Sequence, residues 1–285
     1  MTLLVAEIGI NHNGDMTIAK KLIAMAASMG CDYVKFQKRN IDLVYTKDEL
    51  DQPRKSPWGD TNREQKMGLE LSWDQYADLW QYCQYVGIKM FWSVWDEATI
   101  ETTATGFPWR PELIKVPSAL ITDKKILNAV RATGIPAVIS TGMSDAYQVE
   151  RAIDFLLPAW VLACTSTYPC PVGDVNLGEV VWLKQVCKSY PGMGIGFSNH
   201  SPGLVFIPAA IALGAAMVEF HITLDRSMYG SDQAASIEPE GVHRLVKWTR
   251  SLEEGMGHQE KRIQASELPV REKLRFNLPR EELDL

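Results

Sequence analysis

Eight short runs rich in β-branched and aromatic residues alternate with eight helical patterns along this 285-residue chain. The runs are Leu3–Ile10, Tyr33–Gln37, Met90–Trp95, Leu113–Ser118, Ala137–Thr141, Trp160–Thr165, Gly194–Ser198 and Met217–Thr223. Helices are predicted over Met16–Gly30, Trp73–Gly87, Glu97–Thr105, Lys124–Gly134, Tyr147–Leu157, Leu177–Tyr190, Leu204–Gly214 and Pro239–Leu252. The first shows the helical period in Ile18, Leu22, Met25 and Met29. Gly30, Gly87, Gly134 and Gly214 end their helices just before a strand, where a left-handed residue is favoured. Strict βα alternation at this length predicts a closed (β/α)8 TIM barrel, an α/β fold in one domain. The glycine-rich fingerprint of an open dinucleotide-binding sheet is absent.

Charge and composition narrow the partners. A net charge of −6 without a basic stripe argues against nucleic acid. The longest apolar run, Val205–Met217, is broken by Pro208 and Gly214 and is too short for a membrane span. Met1–Glu7 runs straight into a strand and lacks the basic segment of a signal peptide. Cys31, Cys83, Cys164, Cys170 and Cys187 show neither zinc spacing nor a disulfide framework, so a reducing cytoplasm is expected.

Two segments break the rhythm. Lys38–Leu71 is long, charged and proline-bearing, with a short helix expected at Asn62–Leu69. Connections of this length are often functional covers, and Arg39, Arg54, Lys55, Trp58 and Arg63 are available to meet a substrate. The tail, 259–285, is charged, carries two prolines and shows no periodic apolar face. It reads as a solvated extension or as a segment that packs on a partner.

Barrel active sites lie at the C-terminal strand ends, so those positions can be read in order. They offer Glu7 and His12, then Lys35 and Gln37, Ser93, Lys115 and Ser118, Ser140 and Thr141, Thr165, Ser166 and Tyr168, Ser198 and His200, and Glu219 and His221. A lysine inside an apolar strand cannot easily snorkel to water, so Lys35 and Lys115 point to an anion. With the hydroxyls they make a cradle for a phosphate or carboxylate. A lone histidine would read as a hydrogen-bonded core residue. His200 and His221 instead end adjacent strands, each with a polar residue two places earlier on the same face, Ser198 and Glu219. Two imidazoles with water and substrate oxygens suit Mn2+, Mg2+, Co2+ or Zn2+, in an open rather than a structural site. A charged loop, Asp225 to Glu240, follows the last strand and is placed to cover the site. Glu7 is a candidate general base or partner of the metal's water.

With those residues in view, the chain resembles the sialic acid synthase (N-acetylneuraminate synthase) family. The resemblance is carried by Ala6-Glu-Ile-Gly-Ile-Asn-His-Asn-Gly14, Val34-Lys-Phe-Gln37, Ile114-Lys-Val-Pro-Ser118, Ser140-Thr-Gly-Met143, Cys164 to Pro169, Phe197-Ser-Asn-His200, and Glu219 to Arg226 with Gly230-Ser-Asp232. It implies a metal-dependent condensation of phosphoenolpyruvate with an N-acylmannosamine-like amino-sugar aldehyde, giving a nonulosonic 2-keto acid and phosphate. It also implies metal ligation by His200 and His221, with Mn2+ foremost and Mg2+ or Co2+ as alternatives. Lys35, Lys115, Ser118, Ser140 and Ser198, with Ser93 and Ser166, resemble the phosphoenolpyruvate cradle. Glu7, Gln37, Tyr168, Glu219 and Asp232 resemble the groups facing metal, water and sugar. A homodimer or larger homo-oligomer is implied as well. Phe220 stands where the family usually has lysine, and its side chain is expected to point away from the site. Typical members continue into a small antifreeze-like domain; the division expected here is a barrel over 1–258 and a charged extension over 259–285, without that domain. The alternatives are a different sugar or sugar phosphate as acceptor, or a non-catalytic barrel that binds a sugar acid.

Overall fold

In the computed structural model, which describes residues 1–257 and 260–275, eight parallel strands close into a barrel. They are β1 (Leu3–Gly9), β2 (Tyr33–Lys38), β5 (Lys89–Val94), β6 (Ile114–Val116), β7 (Ala137–Ser140), β8 (Trp160–Cys164), β9 (Gly194–Asn199) and β10 (Met217–His221). The missing numbers belong to a short antiparallel hairpin, β3 (Pro53–Ser56) and β4 (Gly59–Thr61), outside the barrel. Closure runs β1-β10-β9-β8-β7-β6-β5-β2, so the two histidine-bearing strands, β9 and β10, are neighbours. All eight expected strands form, within a residue or two of their expected ends.

The outer ring follows the predicted helices: α1 (Met16–Met29), α5 (Trp73–Val86), α6 (Glu97–Glu101), α7 (Lys124–Thr133), α8 (Ala146–Leu156), α9 (Gly178–Val186), α10 (Phe206–Leu213) and α11 (Pro239–Met256). Asp15 caps α1 by accepting from the Thr17 and Ile18 amides, and Ser72 closes a capping box with Gln75 on α5. α6 is shorter than expected. From Thr102 to Gly106 the chain widens into a π-turn, where Thr103 Oγ1 donates to Thr99 O at 2.7 Å and accepts from the Trp92 indole at 2.9 Å. A threonine bonded to its own helix in this way competes with regular α geometry.

The pleat builds the site in layers. Val5, Tyr33, Phe91, Leu113, Val138, Leu162 and Met217 form an apolar plug inside the barrel. Two residues further along each strand, on the same face, stand Glu7, Lys35, Ser93, Lys115, Ser140, Cys164 and Glu219, all buried. Alternate residues, such as Val218 and Phe220, point outward into the main core between strands and helices. Phe220 is therefore directed away from the site, as expected.

The long connection after β2 contains more structure than was expected. Besides α4 (Asn62–Leu69), whose bounds match, it holds α2 (Ile41–Val44), α3 (Lys47–Leu50) and the hairpin. The hairpin has no apolar alternation to betray it, because its strand residues are exposed or half-buried. Trp58 at its turn packs on Gly68, where a Cβ would lie 2.1 Å from the indole, and edge-on against Tyr229 at 5.5 Å. Gly14 follows β1 and Tyr229 follows β10, so this segment sits at the C-terminal end of the barrel.

The tail also departs from expectation. A helix, α12 (Leu268–Leu274), forms where no periodic face was seen, although Leu268, Val270 and Leu274 remain exposed. The expected boundary at 258–259 and the last ten residues of the extension lie outside the described residues. No described helix is long and apolar enough to cross a membrane.

Candidate active site

A cavity of about 250 Å³ opens above the apolar plug. Glu7, Lys35, Gln37, Ser93, Lys115, Ser118, Ser140, Ser166, Tyr168, Ser198, His200, Glu219 and His221 all line it. Of the residues that the family resemblance assigns to substrate, water or metal, only Asp232 stands outside this lining, with Oδ2 3.8 Å from His221 Nδ1.

Four buried charges organise the floor. Lys35 Nζ lies 2.9 Å from Glu7 Oε2 and 3.5 Å from Glu219 Oε1, and donates to Ser93 Oγ at 2.9 Å. Lys115 Nζ reaches Glu219 Oε2 at 3.1 Å, and Ser198 Oγ donates to Oε1 of the same carboxylate at 3.2 Å. Burial alone would raise the Glu219 carboxyl, but the two ammonium groups overcome it and hold Glu219 down at about 2. Lys35 is raised, because Glu219 and Glu7 outweigh the cost of its burial. Lys115 is lowered, first by burial and then by the neighbouring Lys35 cation.

The hydroxyls stand around this floor. Ser140 Oγ lines the cavity without a hydrogen-bond partner in the protein, so its hydroxyl is available to a ligand. Gly142 explains the Ser140-Thr-Gly-Met143 motif physically. A Cβ there would fall 2.1 Å from Ser166 Oγ and 2.9 Å from Ser118 Oγ, so only glycine lets both hydroxyls approach.

The two imidazoles meet above the floor, with ring centres 5.4 Å apart. His200 Nδ1 lies 2.8 Å from Thr165 O and therefore donates to it, which leaves Nε2 as a lone pair. Cys164 Sγ is 3.8 Å from the same Nδ1. Burial opposes charge on both groups, yet each favours the charged form of the other, so the thiol is lowered and the imidazole raised. His221 is lowered, chiefly by burial, and its Nδ1 is buried without a hydrogen-bond partner. Tyr168 packs on His200 with ring centres 4.1 Å apart.

These residues fit a divalent ion. They supply two imidazoles within reach of one ion and an orphaned ring nitrogen. No cluster of three or more histidine, cysteine or carboxylate ligands occurs among the described residues, so water and substrate would complete the sphere.

Acceptor groups gather beside the histidines. Around Gly9, at φ +54°, a Cβ would lie 3.1 Å from Gln37 Nε2, 3.2 Å from Glu7 Oε1 and 3.6 Å from Asp232 Oδ2. Gln37 Nε2 donates to Glu7 Oε1 at 2.9 Å. Glu7 Oε2 pairs with the Lys35 ammonium at 2.9 Å, so both oxygens of the carboxylate are held.

Three strand-end residues lie elsewhere. His12 is held down at about 4 by burial, and its Nδ1 accepts from the Gly14 amide at 3.0 Å. It is a neutral strut for the turn after β1. Thr141 and Thr165 face an adjoining outer groove of about 780 Å³ beside α8 and α9, which shares Met143, Cys164 and Ser166 with the cavity. Thr141 Oγ1 bonds there to Glu179, and Thr165 Oγ1 to Asp174 O. Conversely, Cys164 and Trp95 line the cavity without having been singled out. Counting two residues onward from Leu162 would have found Cys164. No residue of the 38–71 connection beyond Gln37 lines the cavity, and the charged loop after β10 flanks it through Asp232.

A parallel barrel with buried lysines, hydroxyls and paired imidazoles at its C-terminal mouth has the build of a barrel enzyme. Comparison with known proteins places it further: the model of the NeuB family matches residues 22–261, and the chain belongs to that family. It is 36% identical to N-acetylneuraminate-9-phosphate synthase from Homo sapiens over 277 residues, covering 95% of this chain and 76% of the relative. It is 33% identical to N,N'-diacetyllegionaminic acid synthase from Legionella pneumophila, covering 96% and 79%. Among solved structures, the N-acetylneuraminic acid synthetase of Leptospira borgpetersenii superposes with a TM-score of 0.80 at 27% identity, covering 98% of this chain and 93% of that one. The sequence resemblance to sialic acid synthases is thus borne out, and the chain is an enzyme of that synthase type.

Proposed function

We propose that this enzyme condenses phosphoenolpyruvate with the aldehyde form of an N-acylmannosamine-like amino sugar, releasing phosphate and a nonulosonic 2-keto acid. One observation carries the reading. Two buried lysines bracket a carboxylate beneath paired imidazoles, in a cavity with room for a small anion and a carbonyl. The named products of the relatives, N-acetylneuraminate-9-phosphate and N,N'-diacetyllegionaminic acid, support the product class.

The barrel, 1–258, serves as the catalytic unit and 259–285 as a charged extension. Lys35 and Lys115 leave Glu219 for the incoming phosphate and carboxylate, and Ser118, Ser140 and Ser198 orient those oxygens, with Ser93 and Ser166 behind them. The enol carbon of phosphoenolpyruvate forms the new bond to the aldehyde carbon. Water then adds at C2, and collapse of that adduct to the ketone breaks the C2–O bond, the second water proton leaving with the phosphate. Glu7 takes the first proton that the attacking water loses and passes it to the oxygen of the former aldehyde, which the new C–C bond has made an alkoxide. Gln37, Tyr168 and Asp232 face the sugar, and Glu219 receives the lysines again once phosphate leaves. A divalent ion held by His200 and His221, Mn2+ foremost with Mg2+ or Co2+ as alternatives, would polarise the aldehyde carbonyl. Five buried free cysteines suit a reducing cytoplasm. Assembly as a homodimer or larger homo-oligomer follows the family resemblance.

The test is incubation with phosphoenolpyruvate, Mn2+ and a panel of aldehydes: N-acylmannosamines, their 6-phosphates, and pentose and tetrose phosphates. Mass spectrometry should show a nine-carbon keto acid from the first group. Turnover only with the short sugar phosphates would reject the reading.

A further inference from the structure

We infer that Arg39 is a positioning residue that sets the polarity of the Gln37 amide and, through it, the orientation of the Glu7 carboxylate. The inference rests on Glu7 acting as the base in the proposed condensation. Arg39 lies one residue beyond β2, and its Nη2 donates to Gln37 Oε1. Gln37 Nε2 in turn donates to Glu7 Oε1 at 2.9 Å.

The chemistry of the three groups allows only this arrangement. A guanidinium has donors and no acceptor. A carboxylate beside a lysine at 2.9 Å is ionised and only accepts. An amide bridging the two must therefore give its oxygen to Arg39 and its NH2 to Glu7. The result is a one-way chain. With Oε1 accepting from Gln37 and Oε2 against the Lys35 ammonium at 2.9 Å, the carboxylate is held at both oxygens and its plane is fixed. Without Arg39 the amide can turn over, present its oxygen to a carboxylate that repels it, and let Glu7 swing.

Arg39 is itself held for this task. Its guanidinium lies 4.8 Å from the centre of the Trp95 ring, and its backbone amide donates to Glu70 Oε1 at 3.1 Å. No carboxylate pairs with its charge among the described residues. It borders a neighbouring cavity of about 470 Å³ and is not part of the catalytic lining, so it acts through Gln37 rather than on substrate. Lysine would keep a donor but lose the flat face that stacks on Trp95.

A double-mutant cycle tests this directly, using Arg39→Met, Gln37→Leu and the pair in the full chain. Arg39→Met should lower kcat by about tenfold to a hundredfold, the size of effect seen for residues that orient a reacting group. The KM for phosphoenolpyruvate should stay within about twofold, and Arg39→Met should cost nothing more in the Gln37→Leu background. Arg39→Lys should restore much of the rate. Arg39→Glu should fall below Arg39→Met, because an acceptor at that place turns the amide around. Losses that multiply in the double variant, or an Arg39→Met effect confined to KM, would overturn the inference. A second readout does not need turnover. The side-chain amide signal of Gln37 in a 15N-labelled sample, assigned through Gln37→Leu, should lose hydrogen-exchange protection in Arg39→Met, and an unchanged signal would overturn the inference. A wild type that turns over no aldehyde would reject the proposed condensation, while this signal still decides the role of Arg39.

Discussion

Lys115 and Glu219 stand on opposite sides of the barrel, and their side chains meet across its axis at 3.1 Å. Three strands separate β6 from β10 in either direction round the closed sheet. Lys35 approaches the same carboxylate from β2 at 3.5 Å. Glu219 thus lies between two cations, and in the proposed condensation an anionic substrate would take its place there. Buried ion pairs of this kind cost nearly as much in desolvation as they return in attraction, so their value here lies in holding the lysines charged and in place.

Glu219→Gln should therefore destabilise the protein and sensitise it to anions. The two lysines lose their shared partner, and breaking a buried pair costs about 3–5 kcal/mol. Thermal melting should show a lower Tm in the variant and a larger rise on adding phosphoenolpyruvate than in the wild type. Equal Tm values, with equal anion shifts, would argue against the shared-partner role.

Lys35→Ala and Lys115→Ala should each weaken phosphoenolpyruvate binding. A charge-assisted contact is worth about 1.5–3 kcal/mol, or roughly tenfold to a hundredfold in affinity. Isothermal titration would check this, and unchanged affinity in both variants would remove the cradle.

His200→Ala and His221→Ala should abolish Mn2+ binding and metal-dependent phosphate release while leaving the circular dichroism spectrum intact. Both residues lie above the packed layer of Val5, Leu162 and Met217, so the barrel does not depend on them. Paramagnetic resonance of added Mn2+ reads the binding without relying on turnover. Bound Mn2+ in both variants would contradict the ligand assignment.

Glu179 offers a pH test outside the cavity. Burial raises its carboxyl above the ordinary value, against the hydrogen bond from Thr141. A carboxyl raised in the folded state favours folding only while protonated, below its unfolded value of about 4.5, and loses that contribution as pH rises through the folded value. At pH 7 the charge is a burden, so Glu179→Gln should raise Tm by about 1–3 °C. The gain should shrink as pH falls through the raised folded value and be gone by about 4.5. A variant that melts lower at pH 7 would show that the charge is compensated.

Much of this was legible in the sequence, and the reasons are local. Strands such as Tyr33–Lys38 announce themselves by apolar content, and a lysine two residues after Tyr33 must then share its inward face. The helix ends at Gly30, Gly87, Gly134 and Gly214 were readable because each adopts the left-handed conformation that glycine favours. The hairpin at 53–61 was not readable, because its stability comes from Trp58 against Gly68 and Tyr229, distant in sequence. His12 looked like a site residue because it ends a strand, yet its hydrogen bond to the Gly14 amide makes it part of the turn. Arg39 could be seen as a cation near the mouth, but only its bond to Gln37 reveals what it does.

The most direct measurement of the central claim is phosphate release in H2 18O, with phosphoenolpyruvate, Mn2+ and an N-acylmannosamine. Water attack at C2 with C–O cleavage should leave the phosphate unlabelled and put the solvent oxygen into the keto acid, with release strictly dependent on the aldehyde. Because the 2-keto group exchanges with solvent, the phosphate is the species to read. Labelled phosphate would show attack at phosphorus, and release at the same rate without any aldehyde would show simple hydrolysis; either result would contradict the condensation.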